Sequence, residues 1–266
     1  MVSSSVAITL STSSVYPKGS AEAFAVASRL GYDGVEVMVL GDPLTQSASR
    51  LRELVDRYEM PVLSIHAPTL LVTQRVYGSS AWDKVDRSIE LAQELGAETV
   101  VVHPPFRWQK EYASGFVDGI AERERATGIK LAVENMFPWR AGAQLQVYLP
   151  GWDPVVQTYD NVTLDLSHSA TARSDVLAMQ ADLGDRLGHV HLADGSGSLK
   201  DEHLVPGRGN QPCDEFLRRL GASEFSGVVA VEVGTRRLDP EGRDAALRES
   251  LDFAREHLAR GVADAT

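Results

Sequence analysis

His189-Val190-His191-Leu192-Ala193-Asp194-Gly195 decides how the rest of the chain is read. Val190 and Leu192 alternate with His189 and His191, the two-residue period of a strand whose faces meet different surroundings. The strand runs into a Gly/Ser loop, after which Asp201-Glu-His203-Leu-Val-Pro-Gly-Arg208-Gly adds a further acid and a further histidine. Groups able to ligate a metal thus crowd the C-terminal end of an apolar strand, where parallel α/β proteins keep their chemistry. Taken alone, His189 and His191 read equally well as hydrogen-bonded core histidines. Recurrence of the same design along the chain separates the two readings.

Outward from this strand the pattern alternates. Apolar runs at 6–10, 34–38, 61–66, 99–103, 130–134, 162–165, 188–192 and 228–232 read as eight strands. Helical patterns cover 21–30, 48–58, 81–95, 112–126, 212–220 and 243–260, with Gly31 and Gly96 placed to close two of them. The βα units have the usual thirty-odd residues, and an eight-fold barrel takes about 250. The 266 residues show no linker or composition break, so residues 1–266 predict a single (β/α)8 TIM barrel. A doubly wound open sheet is the alternative, weakened by the lack of a G-x-G-x-x-G in the first βα turn. Long loops are expected at 69–80, 104–111 and 137–154, the last two rich in aromatics (Phe106, Trp108, Phe137, Trp139, Tyr148, Trp152). Such loops read as lids or binding loops, or as plain packing at the barrel mouth.

Hydrophobic content of 43% and charged content of 24% are ordinary for a globular protein. The net charge of −11 argues against a nucleic-acid partner. With one cysteine, Cys213, neither an internal disulfide nor a thiolate cluster is available, so any metal falls to His, Asp and Glu. No basic-then-apolar leader and no run of about 20 apolar residues is visible, which predicts a cytoplasmic protein with no membrane partner.

The strand period places Ser64 with His66, Val101 with His103, Ala132 with Glu134, Thr163 with Asp165, His189 with His191, and Ala230 with Glu232. The opposite faces are apolar and suit the outer helices. Six strands then aim an ionisable group at one axial spot. Charges so crowded need partners or a cation, and a divalent metal held by carboxylates and neutral imidazoles meets that need. Glu36 has the same phase on strand two and reads as structural. His257 lies on the last helix, away from the site.

At these residues the chain resembles the xylose isomerase-like barrel superfamily, in particular its sugar phosphate isomerase/epimerase group, and the related endonuclease IV family. The matching segments are Ser-Ile-His66-Ala-Pro, Val-Val-His103-Pro, Val-Glu134-Asn, Leu-Asp165-Leu-Ser-His168, His-Val-His191-Leu-Ala-Asp, Asp201-Glu-His203-Leu-Val-Pro-Gly-Arg-Gly and Val-Glu232. In the epimerase branch the resemblance implies one divalent ion (Mn, Mg or Co) held by Glu134, Asp165, His191 and Glu232. In the endonuclease branch it implies three zinc ions held by those four with His66, His103, His168, Asp201 and His203. Two departures count against the nuclease. Thr69-Leu-Leu stands where that family carries a tyrosine, and the strand-two loop, Leu40-Gly-Asp-Pro-Leu-Thr, has no arginine.

The leading expectation is therefore a metal-dependent isomerase or epimerase of a sugar or sugar phosphate, working through an enediolate with Glu134 and Glu232 as the acid/base pair. The alternatives are a zinc-dependent abasic-site phosphodiesterase and a metal-dependent dehydratase of a keto-polyol. Gly207-Arg208-Gly-Asn-Gln-Pro212 precedes a helix, and its backbone N–H groups with Arg208 could hold a substrate phosphate, or could form a plain turn. The sequence leaves homo-oligomerisation open.

Overall fold

The computed structural model describes residues 6–265 apart from 69–72, 74 and 142, with the side chains of 140, 141, 143 and 144 also left aside. The Thr69-Leu-Leu departure lies outside the described residues. Eight parallel strands close into a barrel: β1 (Ala7–Ser11), β2 (Gly34–Met38), β3 (Val62–His66), β4 (Thr99–Val102), β5 (Lys130–Glu134), β8 (Val162–Asp165), β9 (Leu187–Leu192) and β10 (Val228–Val231). Sequence neighbours pair all the way round, and β1 closes the ring on β10 through Ala7 opposite Val228. Around it run α1 (Ser20–Leu30), α2 (Ala48–Tyr58), α3 (Ala81–Leu95), α4 (Lys110–Ser114), α5 (Phe116–Thr127), α6 (Leu166–Ala172), α7 (Val176–Leu183), α8 (Cys213–Ala222) and α9 (Pro240–Asp264). Gly31 and Gly96 end α1 and α3 at φ 84° and 77°, the left-handed caps expected of them. No helix among the described residues is long and apolar enough to cross a membrane.

The two faces of the strands fall as their period dictates. Ile65, Val100, Val102, Leu131, Val133, Val162, Leu164, Val190, Leu192, Val229 and Val231 join one apolar core with helix residues such as Phe24, Phe116, Phe216 and Leu251. Each such side chain, fully buried, stabilises the fold by roughly 1.5–3 kcal/mol. The alternate set faces the axis. Thr9, Ser64, Thr163 and His189 fill lower positions, while His66, Glu134 and Asp165 end their strands and His191 stands one residue before the end of β9, all fully or almost fully buried.

Three elements differ from the sequence expectation. The helix expected over 112–126 is two pieces, broken at Gly115, whose φ of −113° and ψ of 13° interrupt the helical path. The stretch between the sixth and seventh strands, left without helix by the sequence, holds α6 and α7. Leu166-Ser-His-Ser-Ala-Thr-Ala172 has no polar face to signal a helix because all seven residues are buried. Within 137–154, β6 (Trp139–Ala141) and β7 (Ala143–Leu145) form a short antiparallel pair, too brief for periodicity to reveal.

Candidate metal and active site

Asp165 is the last residue of β8 and also the N-cap of α6. Its Oδ1 accepts from the backbone N–H of His168 at 2.7 Å, satisfying one free donor of the helix start. That leaves Oδ2 buried with no hydrogen-bond partner, 3.6 Å from Nδ1 of His191. The same Nδ1 lies 2.9 Å from Glu134 Oε1 and 3.2 Å from Glu232 Oε2. Three carboxylates from β5, β8 and the end of β10 therefore meet one imidazole nitrogen from β9. Three negative charges cannot share a buried spot without a cation among them. Among the described residues, the side-chain ion pairs to these acids all come from imidazoles, none from lysine or arginine.

The other expected residues gather on either side. His66 Nε2 and His103 Nε2 lie 3.3 and 2.7 Å from Glu134 Oε2. His168 Nε2 and His203 Nε2 lie 3.2 and 2.8 Å from Asp201 Oδ2. Among the described residues four groups of donor atoms, His66–His103–Glu134, Glu134–Asp165–His191, Asp165–His168–His203 and, deeper in the barrel, Glu36–His189–His191, are each compact enough for an ion, with Glu134, Asp165 and His191 shared between them. Most imidazoles are oriented by backbone carbonyls. Nδ1 of His66, His168 and His203 sits 3.1, 2.8 and 2.7 Å from the carbonyls of Ala67, Asn135 and Glu232. With Nδ1–H donated there, Nε2 is the nitrogen that faces the carboxylates, and it becomes a ligand once its proton is lost to a bound ion. His203 keeps its place at φ 45°, a left-handed conformation costly for a non-glycine residue.

Charge follows from these distances. Burial pushes every imidazole toward neutrality, but Glu36, Glu232 and Glu134 outweigh it at His191, which is held well above the ordinary histidine range. Asp165 and Asp201 do the same for His168, and Asp201 raises His203 to about 10. At His103 burial wins and the pKa falls. Burial would raise Glu134, yet His191 and His103 hold it well below the usual carboxylate range. The donor set, all nitrogen and oxygen and with Asp165 Oδ2 left open, fits a divalent ion.

Several functional neighbours were not singled out in the sequence. Ser13 Oγ donates to Glu232 Oε1 at 2.9 Å, so the Ser/Thr run after β1 holds a carboxylate of the site. Ser167 Oγ donates to Asp201 Oδ1 at 2.6 Å. Asn135 brackets Asp165, its Oδ1 accepting from the Asp165 N–H at 2.6 Å and its Nδ2 donating to the Asp165 carbonyl at 3.0 Å. Their only sequence signal is adjacency to the strand ends.

Arg208 does not join the cluster. Its guanidinium pairs with Glu249 on α9, and both side chains are exposed. Nor are the backbone N–H groups of its loop open to an anion. Those of Gly207 and Gly209 donate to Asp194 Oδ2 at 2.9 Å each, and those of Gly195 and Gln211 to Oδ1 at 2.8 and 3.0 Å. The anion in this nest is the protein's own buried carboxylate.

One wall of the mouth is aromatic. Phe106, Met136, Val147 and Tyr148 form a small apolar core of their own, with Trp152 against it. Trp108 stacks on Phe106 at 4.7 Å, and both Trp108 and Trp139 expose a large part of their surface. Phe137 places its ring 5.1 Å from that of His168, joining this wall to the ligand cluster. These loops are packed structure and so differ from mobile connections.

Fold and site together define a (β/α)8 barrel with a ring of nitrogen and oxygen donors at the C-terminal mouth. The chain belongs to the xylose isomerase-like TIM barrel family, whose model matches residues 24–257. It is similar to an uncharacterized protein of Mycobacterium tuberculosis (strain ATCC 25618 / H37Rv), 48% identical over 96% of this chain and 99% of that one. It is also similar to the fructoselysine 3-epimerase of Shigella flexneri, 23% identical over 80% of this chain and 84% of that one. Among solved structures it resembles a D-tagatose 3-epimerase-like protein, 25% identical, with a TM-score of 0.67 over 94% of this chain and 98% of that chain.

Proposed function

We propose that the chain is a divalent-metal-dependent isomerase or epimerase of a sugar or sugar phosphate, with the ion held by Glu134, Asp165, His191 and Glu232. The observation that carries this reading is the buried Oδ2 of Asp165, without a hydrogen-bond partner, beside the nitrogen on which Glu134 and Glu232 also converge. Similarity to a fructoselysine 3-epimerase and a D-tagatose 3-epimerase-like protein supports a ketose as substrate. When bound, the ion supplies an electrophile that polarises a substrate carbonyl and lowers the cost of the enediolate. Glu134 ends β5 and Glu232 directly follows β10, the two strands being separated around the ring by β8 and β9. One carboxylate removes the proton beside the carbonyl, and the other returns a proton to the opposite face, which inverts the carbon. Ser13 fixes the orientation of Glu232 by donating to its Oε1. The backbone N–H groups of Gly207, Gly209 and Gln211 are donated to Asp194 and those of Arg208 and Asn210 to backbone carbonyls, which argues against this loop as the seat of a substrate phosphate.

The test is solvent exchange. The Mn-loaded protein incubated with ketoses in D2O is expected to place deuterium on the carbon beside the carbonyl of its substrate. Glu134→Gln and Glu232→Gln are each expected to abolish this; exchange surviving in both variants overturns the scheme. A second reading, a zinc-dependent abasic-site phosphodiesterase, is favoured by one observation: His66 and His103 with Glu134, and His168 and His203 with Asp165, make two more donor groups at the mouth. Three tightly held zinc ions per chain with cleavage of abasic DNA support it, while one exchangeable ion supports the sugar enzyme.

A further inference from the structure

His191 is built differently from His66, His168 and His203. Nδ1 of His66, His168 and His203 faces a backbone carbonyl, whereas His191 turns Nε2 down the barrel axis, 2.9 Å from Glu36 Oε1. The other oxygen of Glu36 accepts from Ser64 Oγ at 2.8 Å and lies 3.1 Å from His189 Nε2. His189 in turn places Nδ1 3.4 Å from Thr163 Oγ1. All five residues are wholly buried. The pairing of β2 with β3 slips between Val35 and Glu36, so that Glu36 stands opposite Ser64. Such slips re-aim a side chain. A carboxylate with no access to water is costly unless its partners fix its charge, so its retention beneath the ligand nitrogen needs a reason.

We infer that Glu36 is the positioning residue for the ion: by accepting from His191 Nε2–H it makes Nδ1 the ligand nitrogen and strengthens it as a donor. This rests on the metal-dependent reading above. A carboxylate behind a ligating imidazole fixes its tautomer and ring plane, and removing such a partner costs 10–100-fold in metal affinity. Ser64 and His189 keep Glu36 from rotating away. His191 then binds through Nδ1, while His66, His168 and His203 present Nε2.

Two measurements test it. In the wild-type chain labelled with 15N-histidine and loaded with 113Cd2+, His191 is expected to show cadmium coupling at Nδ1 and a proton at Nε2. Cadmium on Nε2 of His191 overturns the inference, and this arm needs no variant. Glu36→Gln, whose folding is checked by circular dichroism, is expected to bind Mn2+ 10–100-fold more weakly and to shift the Co2+ d–d spectrum. A variant that folds and binds Mn2+ within about two-fold of wild type, with an unchanged Co2+ spectrum, also overturns it. Wild-type protein that binds no divalent ion refutes the functional reading and this inference together. Normal loading and sugar exchange with His191 bound through Nε2 refutes the inference alone.

Discussion

Asp194 gives the sharpest test of how the site loop is held. Its buried carboxylate accepts four backbone N–H groups, those of Gly195, Gly207, Gly209 and Gln211, at 2.8–3.0 Å. Its own backbone exchanges two hydrogen bonds of 2.8 Å with Leu204, next to His203. Asp194→Asn keeps the shape but replaces one oxygen with an NH2, so two of the four N–H groups face a donor. Each hydrogen bond to a charged acceptor is worth about 1.5–3 kcal/mol, so the loss comes to about 3–6 kcal/mol. For a chain of this length that lowers the melting temperature by roughly 6–24 °C. Differential scanning calorimetry of the variant beside the parent reads the shift. Ion binding should weaken as well, because the loop carries Asp201 and His203. A melting temperature within about 2 °C of the parent shows that the nest does not depend on this carboxylate.

Ion binding should release protons, because His191 and His168 are held charged by their carboxylates until an ion replaces the proton. Calorimetric titration in buffers of different ionisation enthalpy is expected to give about one proton or more per chain near pH 7, with affinity rising as pH rises. In the ion-free protein, raised histidine pKa values stabilise the fold fully below about 6.5, the unfolded value. That contribution drains away as pH climbs toward the folded values, about 10 for His203, so urea melts of the ion-free chain should weaken over this range. Arg208→Ala, which breaks an exposed pair, is expected to change stability by about 1 kcal/mol or less and to leave the preference between free and phosphorylated ketoses unchanged. A large rise in KM for phosphorylated substrates alone would show that Arg208 contacts them. Cys213 is buried in the first turn of α8, and burial, with Asp194 nearby, pushes its thiol well above the usual range. Iodoacetamide should therefore modify it only after unfolding, as mass spectrometry would show.

The barrel was legible because a two-residue period, read on strand after strand, sorts apolar from ionisable side chains without tertiary information. The same period brought Glu134, Asp165, His191 and Glu232 to one end. Partners outside that period were invisible. Ser13 and Ser167 act from positions beyond the strands, and Glu36 is told from an ordinary barrel carboxylate only by what lies opposite it. Arg208 shows the reverse failure. A glycine-rich turn before a helix looks like an anion site, but sequence cannot reveal that Asp194, more than ten residues earlier, already fills it. Helix α6 escaped notice because complete burial erases amphipathicity.

The aromatic wall at the mouth has a consequence for how such a protein diversifies. Phe106, Met136, Val147 and Tyr148 shelter one another apart from the main barrel interior. The outer rings, Trp108 and Trp139, are thus mounted on a separately braced bracket. Exchanging them reshapes the rim of the mouth while the donor cluster beneath stays undisturbed, so the two can drift along independent routes.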